Sequence, residues 1–286
     1  ARSDHDSIQE ILVKPGEQSF EVVLKLLKDN VLHAHTVGVA TTTLGSMAYV
    51  ASRDRPRLTR EAIDLLLDLA KPTPSAFWPR KSIALRGAAV TSLMLSQSPY
   101  AAYRLAEALD AESEIKDCMP SSERALPLRC IDQTPSAAGL LMDALSVEQR
   151  FLHGAPSPLL TQTRDKLLNY LISAMEMEGL EDDVRGATCT AINLAGRLPY
   201  ITEQQREKFW HAMSEGSFTK RPFSSGACIL AIWPLGVETE EHRTWLRDVA
   251  MGTHPGLGGQ SGLEARDKEL IRVAALSVLG KQGVSG

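Results

Sequence analysis

The sequence predicts an all-α fold, a solenoid of about six antiparallel helix pairs forming one domain over residues 1–286. Three observations predict it. A short motif of small and aliphatic residues recurs, an amphipathic stretch precedes nearly every copy, and strand signals are nearly absent. No alternating Val/Ile/Thr run and no Asn-Gly turn occurs. Composition agrees: hydrophobic residues make up 43% of the chain but aromatics only 5%. That balance supports a substantial core and suits close helix packing better than a sheet.

The motif is clearest in "LRGAAVTSL" (85–93), "VRGATCTAI" (184–192) and "IRVAALSVL" (271–279). Looser copies are "VGVATTTLG" (37–45), "SAAGLLMDAL" (136–145) and "SSGACILAI" (224–232). One marker per copy falls at 38, 87, 139, 186, 226 and 273, so successive copies lie 49, 52, 47, 40 and 47 residues apart. Stacked helix-pair arrays show periods of roughly 40–50 residues.

Each copy is expected to be the second helix of a pair. Residues 19–29 place Phe20, Val23, Leu24, Leu26 and Leu27 on one stripe, predicting the first helix. Residues 58–70 form the next, with Thr59 as the expected N-cap. At 98–111 and 157–177 a Ser-Pro pair supplies a cap followed by a proline at the first helical position. Thr202 with Gln205 gives a capping-box pattern for 202–216, and Thr239 starts 238–252. Residues 1–17 are expected to be an N-terminal cap. The small residues then have a physical reason: an inner helix touched on both sides needs Ala, Gly, Ser and Thr for close backbone approach.

Asp183-Val184-Arg185, followed by Ala187 and the Ala191, Ile192 and Leu194 run, resembles the second helix of a HEAT repeat. Arg86 and Arg272 occupy the matching place in two further copies. The resemblance covers residues 18–282 and implies a right-handed, armadillo-like array. It also implies an acid–arginine ladder between repeats, with Asp183 as one acid and Asp267 five residues before Arg272.

Two segments interrupt the array. Residues 112–135 form a long excursion carrying Lys116, Arg124 and Arg129, expected to be packed, with a binding loop as the alternative. Residues 252–262, "GTHPGLGGQSG", read as a flexible loop; they lack the sixth glycine and the lysine of phosphate loops. The four cysteines, 118, 130, 189 and 228, form no C-x-x-C pair. They read as reduced thiols of an intracellular protein, cytoplasmic with the nucleus as alternative, with Cys118 or Cys130 exposed enough to react. No apolar run reaches membrane-spanning length. An opening at Ala1 in place of methionine leads us to expect an excised or trimmed chain.

No catalytic constellation, metal site or cofactor is expected. Glu181, Asp182 and Asp183 fit a helix N-terminus, as do Glu240, Glu241 and His242. His33 and His35 would face different directions. The four tryptophans, 78, 210, 233 and 245, are expected to be scattered packing residues. The net charge of −4 and pI near 6.0 argue against nucleic acid as partner. The expected role is a non-catalytic scaffold that binds another protein or peptide segment along its concave face. Arg185, Asn193 and Arg197 would carry recognition, with Lys116, Arg124 and Arg129 from the excursion. The alternatives are an enzyme on the same scaffold, of DNA-alkylation glycosylase or chromophore-lyase type, or a nucleic-acid-binding array.

Overall fold

A computed structural model of the chain describes residues 17–72, 81–115, 118, 126–151, 157–175, 182–195, 202–214, 226, 228–232, 239–257 and 263–281. The helices are α1 (Glu17–Lys28), α2 (Ala34–Ala51), α3 (Pro56–Ala70), α4 (Ile83–Leu95), α5 (Pro99–Asp110), α6 (Thr134–Phe151), α7 (Pro158–Ala174), α8 (Asp182–Ala195), α9 (Glu203–Ser214), α10 (Glu240–Met251) and α11 (Ala265–Lys281). Residues 228–232 are also helical, and no strand occurs among the described residues. None of the helices searched is long and apolar enough to cross a membrane. Where the repeat predicts one domain, contacts divide the chain into two compact units, Ala1–Lys166 and Leu167–Gly286.

Helix starts follow local chemistry. Thr202 and Gln205 cap each other reciprocally, Thr202 N–H to Gln205 Oε1 at 3.1 Å and Gln205 N–H to Thr202 Oγ1 at 3.2 Å. Ser82, Ser157 and Thr239 each accept one amide of the first turn at 3.2 Å. Two expected caps differ. Helix α3 begins at Pro56 with Arg55 as its N-cap, and Thr59 lies buried inside the helix. Proline's fixed φ makes it a natural first helical residue, so it sets the start four positions earlier than Thr59 as N-cap would. Ser98 occupies the N-cap of α5, but its side chain makes no cap bond.

In the first unit each helix pair packs together, and each helix also packs on the one two places along the chain. The second helices α2, α4 and α6 make one series and the first helices α1, α3 and α5 another. Different forces hold the two series. The first helices are laced by ion pairs from one to the next: Lys28 with Glu61, and Arg104 Nε with Asp64 at 2.9 Å. These groups are part-exposed, so each contributes little on its own. The second helices instead approach closely. A Cβ on Gly45 of α2 would stand 2.7 Å from Ser92 Cα and 2.8 Å from its carbonyl carbon, backbone of α4 that cannot swing away.

The motif keeps one register throughout. Two residues after each marker the side chain is buried: Ala40, Ala89, Leu141, Thr188, Cys228 and Ala275. Six residues after it stands a buried aliphatic: Leu44, Leu93, Leu145, Ile192, Ile232 and Leu279. At the fourth place a hydroxyl donates back to the marker's own carbonyl, Thr42 to Gly38 at 3.0 Å, Thr91 to Gly87 at 3.0 Å, Thr190 to Gly186 at 2.9 Å and Ser277 to Val273 at 2.8 Å. A small polar residue is tolerated mid-helix because it satisfies itself.

The recurring arginine does something the family resemblance does not imply. Arg86 Nε donates to the Ala70 carbonyl at 2.9 Å, and Arg272 Nε to the Ala250 carbonyl at 3.1 Å. Each therefore caps the C-terminal end of its own pair's first helix, where carbonyls lack intrahelical partners. Arg86 is 0% exposed and also donates to the Leu126 carbonyl. Burial pulls its guanidinium below the ordinary value, and the nearby Glu112 carboxylate opposes that shift.

Leu126 lies in the 112–135 excursion, of which Cys118 and Leu128–Ile131 are buried while Ser113, Glu114, Asp132 and Gln133 are exposed. Glu112 receives the amides of Leu128 and Arg129 at 3.1 and 3.0 Å, at a 3-10 turn spanning Leu128–Cys130. Cys118 and Cys130 are joined in a disulfide, as are Cys189 and Cys228. This corrects the expectation of four reduced thiols, with Cys118 or Cys130 exposed enough to react. In the second unit α10 packs on α11. Gly252, at φ 75°, ends α10 in the left-handed conformation that favours glycine, and Leu257 is buried in the 3-10 turn after it. Residues 252–257 thus hold a helix cap and a 3-10 turn anchored by Leu257, while 258–262 lie outside the described residues.

Two stability predictions follow from these contacts. Gly45→Ala is expected to lower the unfolding free energy by about 1–3 kcal/mol through overpacking. Gly38→Ala, on the same helix with nothing within 4 Å of the added carbon, should raise it by up to about 1 kcal/mol. Urea denaturation of both variants checks the contrast, and equal effects would contradict it. Arg86→Met should cost about 1–3 kcal/mol for each carbonyl left unpaired, more than Arg272→Met at its part-exposed position, as read by the same titration.

Candidate functional site

Two second helices of the first unit, α2 and α4, are nearly free of charge. Helix α2 has no Asp, Glu, Lys or Arg in 18 residues. Helix α4 has one such residue, the buried Arg86. Helix α3, by contrast, carries Arg57, Arg60, Glu61, Asp64 and Asp68 within 15 residues. The second-helix face nevertheless shows large apolar groups to solvent: Val50 is 77% exposed, Tyr49 52%, Val39 49% and Leu140 42%. Thr42 and Thr91 spend their hydroxyl hydrogens on their own helices, which leaves that surface poorer still in donors.

Three of these groups, Tyr49, Val50 and Leu140, border a groove of about 740 Å³. Tyr49, Val50 and Arg53 come from the end of α2 and the turn after it. Met94 and Leu95 come from the end of α4, and Leu140 and Asp143 from α6. Gln97, also on its wall, adopts φ 42° after the last turn of α4. That left-handed residue turns the chain sharply and lets Pro99 begin α5 two residues later. A smaller cleft of about 370 Å³ lies between α4 and the excursion, lined by Ile83, Gly87 and Thr91 against Leu126, Ile131 and Gln133. Gly87 lies against Gln133 there, so that a Cβ would stand 2.6 Å from Oε1 unless that exposed side chain swung aside. A groove edged by exposed apolar side chains and nearly uncharged helices is chemically suited to another apolar surface. It offers no acid–base pair and no nucleophile with an adjacent base.

In the second unit the structure joins aromatic residues that the sequence leaves scattered. Trp210 of α9 lies 3.9 Å, centroid to centroid, from His242 of α10 and 5.2 Å from Trp245. Trp245 in turn meets His254 edge-on at 5.4 Å. His242 and Trp245 stand three apart on α10, so they share a face, and that spacing was a usable signal; the partnership with Trp210 is long-range and had none. His242 is buried with Nε2 4.0 Å from a Glu207 carboxylate oxygen. The rings touch one another, leaving no gap for a planar ligand between Trp210 and His242. The cluster reads as packing between α9 and α10. Trp78 and Trp233 lie outside the described residues.

Of the residues expected to carry recognition, Arg129 is buried at the base of the excursion, its guanidinium donating to the Glu112 carbonyl. It is a structural residue there rather than a displayed one. Lys116, Arg124 and Arg197 lie outside the described residues, and Arg185 and Asn193 belong to α8 with side chains outside them. The groove residues were missed because apolar positions in a helical pattern read as core; only coordinates tell a stripe facing solvent from one facing a neighbour. Among the described residues no group of His, Cys, Asp and Glu is placed to hold a metal ion. No family model matches the chain, and neither a curated protein nor a solved structure matches it.

His254 gives the second unit a pH dependence. Burial lowers its pKa below the ordinary value, and Asp248 opposes the shift. Its Nδ1 accepts the Gly256 amide at 3.2 Å, which requires an unprotonated nitrogen. A lowered folded-state pKa means that this contribution is fully present above about pH 6.5, the unfolded value, and is lost as pH falls through the folded value. Wild-type stability should therefore drop from pH 7 to pH 5 more steeply than that of His254→Asn. Denaturant titrations at the two pH values measure this, and parallel slopes would refute it.

Proposed function

We propose that this chain is a non-catalytic interaction scaffold, a right-handed HEAT-type solenoid of about six helix pairs whose second-helix face receives a segment of another protein. The observation that carries this reading is the uncharged face of α2 and α4 with its groove and exposed Tyr49, Val50 and Leu140. Contiguous apolar surface of this kind is costly to leave in water and marks interaction sites. A partner helix would present apolar residues at i, i+3, i+4 and i+7 to such a groove. Arg53 and Asp143 at the groove would set its orientation. The apolar character of that surface is what favours a scaffold over an enzyme in this reading. Arg185 and Asn193 of α8, together with Arg197, remain proposed contacts.

Panning the intact protein against displayed peptides of about 20 residues, some 30 Å long as helices, tests the reading. Peptides with one apolar helical face should be enriched. The double variant Val50→Asp, Leu140→Asp should bind them at least about tenfold more weakly while keeping its helical circular dichroism and denaturation midpoint. Failure to enrich any family of peptides, or enrichment indifferent to the two substitutions, would overturn it.

A further inference from the structure

We propose that both disulfides are permanent covalent features of the working protein, and that the chain is built to fold and act in an oxidising compartment. All four cysteines of the sequence are paired and none is left over. Both pairs are closed within a unit, Cys118–Cys130 in the first and Cys189–Cys228 in the second. The four side chains are buried, and the Cα–Cα separations of 5.4 and 4.7 Å lie within the range a disulfide spans. In a reducing cytosol such pairs are kept as thiols, and persistent ones belong to secreted or luminal proteins. On this proposal the chain works in an oxidising compartment and not in the cytoplasm expected from the sequence.

Each bond sits where it does mechanical work. Cys189 belongs to α8 and Cys228 to the helical residues 228–232, three and two places after their markers. The same two places in the first unit hold Val90 of α4 and Leu141 of α6, buried residues of two packed second helices. At these places the second unit carries a covalent tie where the first unit carries buried apolar side chains. Cys118–Cys130 closes the excursion, and that excursion supplies the Leu126 carbonyl to Arg86 and one wall of the smaller cleft.

The chemistry is thiol–disulfide exchange. A cysteine thiolate attacks a carrier disulfide, of a protein oxidoreductase or oxidised glutathione, and the carrier's leaving thiolate takes up a proton. The second cysteine thiolate then displaces the carrier, closing the S–S bond. Each pair loses two hydrogens, and the carrier is reduced by two electrons.

The test uses the full chain made in two ways, by secretion into an oxidising compartment and in a reducing cytosol. Each preparation is denatured with maleimide and no reductant, then weighed and peptide-mapped. The secreted protein should take no label, weigh four hydrogens less than the reduced chain, and yield the 118–130 and 189–228 linked peptides. The reduced chain should take four labels, unfold with an equilibrium constant about a hundredfold larger per lost bond, and be cut faster by protease within 112–135. The double variant Cys189→Val, Cys228→Ala keeps apolar groups at the contact, so its loss of stability in the secreted form reports the bond rather than the packing. Any labelled thiol in the secreted protein, any other pairing, or equal stability of the two preparations would overturn the proposal.

Discussion

The close approach of successive second helices is the constraint on which the rest of this structure depends. Gly45 faces the backbone of α4 at Ser92 with no room for a Cβ. Helices this close need small residues along the contact and aliphatic residues beside it. The repeated motif supplies both, with buried positions two and six residues after each marker. The hydroxyls four residues after the marker bond within their own helices, so polarity at the contact costs little. In the second unit the corresponding contact is covalent, through Cys189 and Cys228.

A division of labour between helices follows. In the first unit the first helices are rich in charge, meet water, and are laced by ion pairs such as Arg104 with Asp64. Helices α2 and α4 carry no charge but the buried Arg86, as suits helices packed on two sides by others, and the strip of surface left to them inherits that apolar character. Val39, Tyr49, Val50 and Leu140 are exposed on that strip. Stability and the proposed function thus share an origin: the composition that permits the packing also produces the surface. Arg86 links the two roles, since it caps α3 and holds the excursion that walls the smaller cleft.

Much of this was legible in the sequence, and the illegible parts have physical reasons. The motif gave the helices and their register, and the Thr202–Gln205 and Thr239 caps appear as the residue types predict. Thr59 misled because the stronger signal, Pro56, lay three residues upstream. The disulfides were hidden because pairs separated by 12 and 39 residues have no local signature. Arg129 looked available because a charged residue in a long loop normally faces water; here Glu112 draws the turn inward and buries it. The Trp210–His242 stack was invisible because it joins helices distant in sequence.

The most direct measurement is an EPR distance set on the first unit. Val39, Ala88 and Leu140 each follow their marker by one residue, on α2, α4 and α6, so spin labels there report the stacking of second helices in series. Adjacent packed helices lie about 8–10 Å apart, so the 39–88 and 88–140 distances should be short and similar, and 39–140 close to twice either one. A 39–140 distance no longer than the adjacent ones would mean that the three helices form a closed cluster, which contradicts the account.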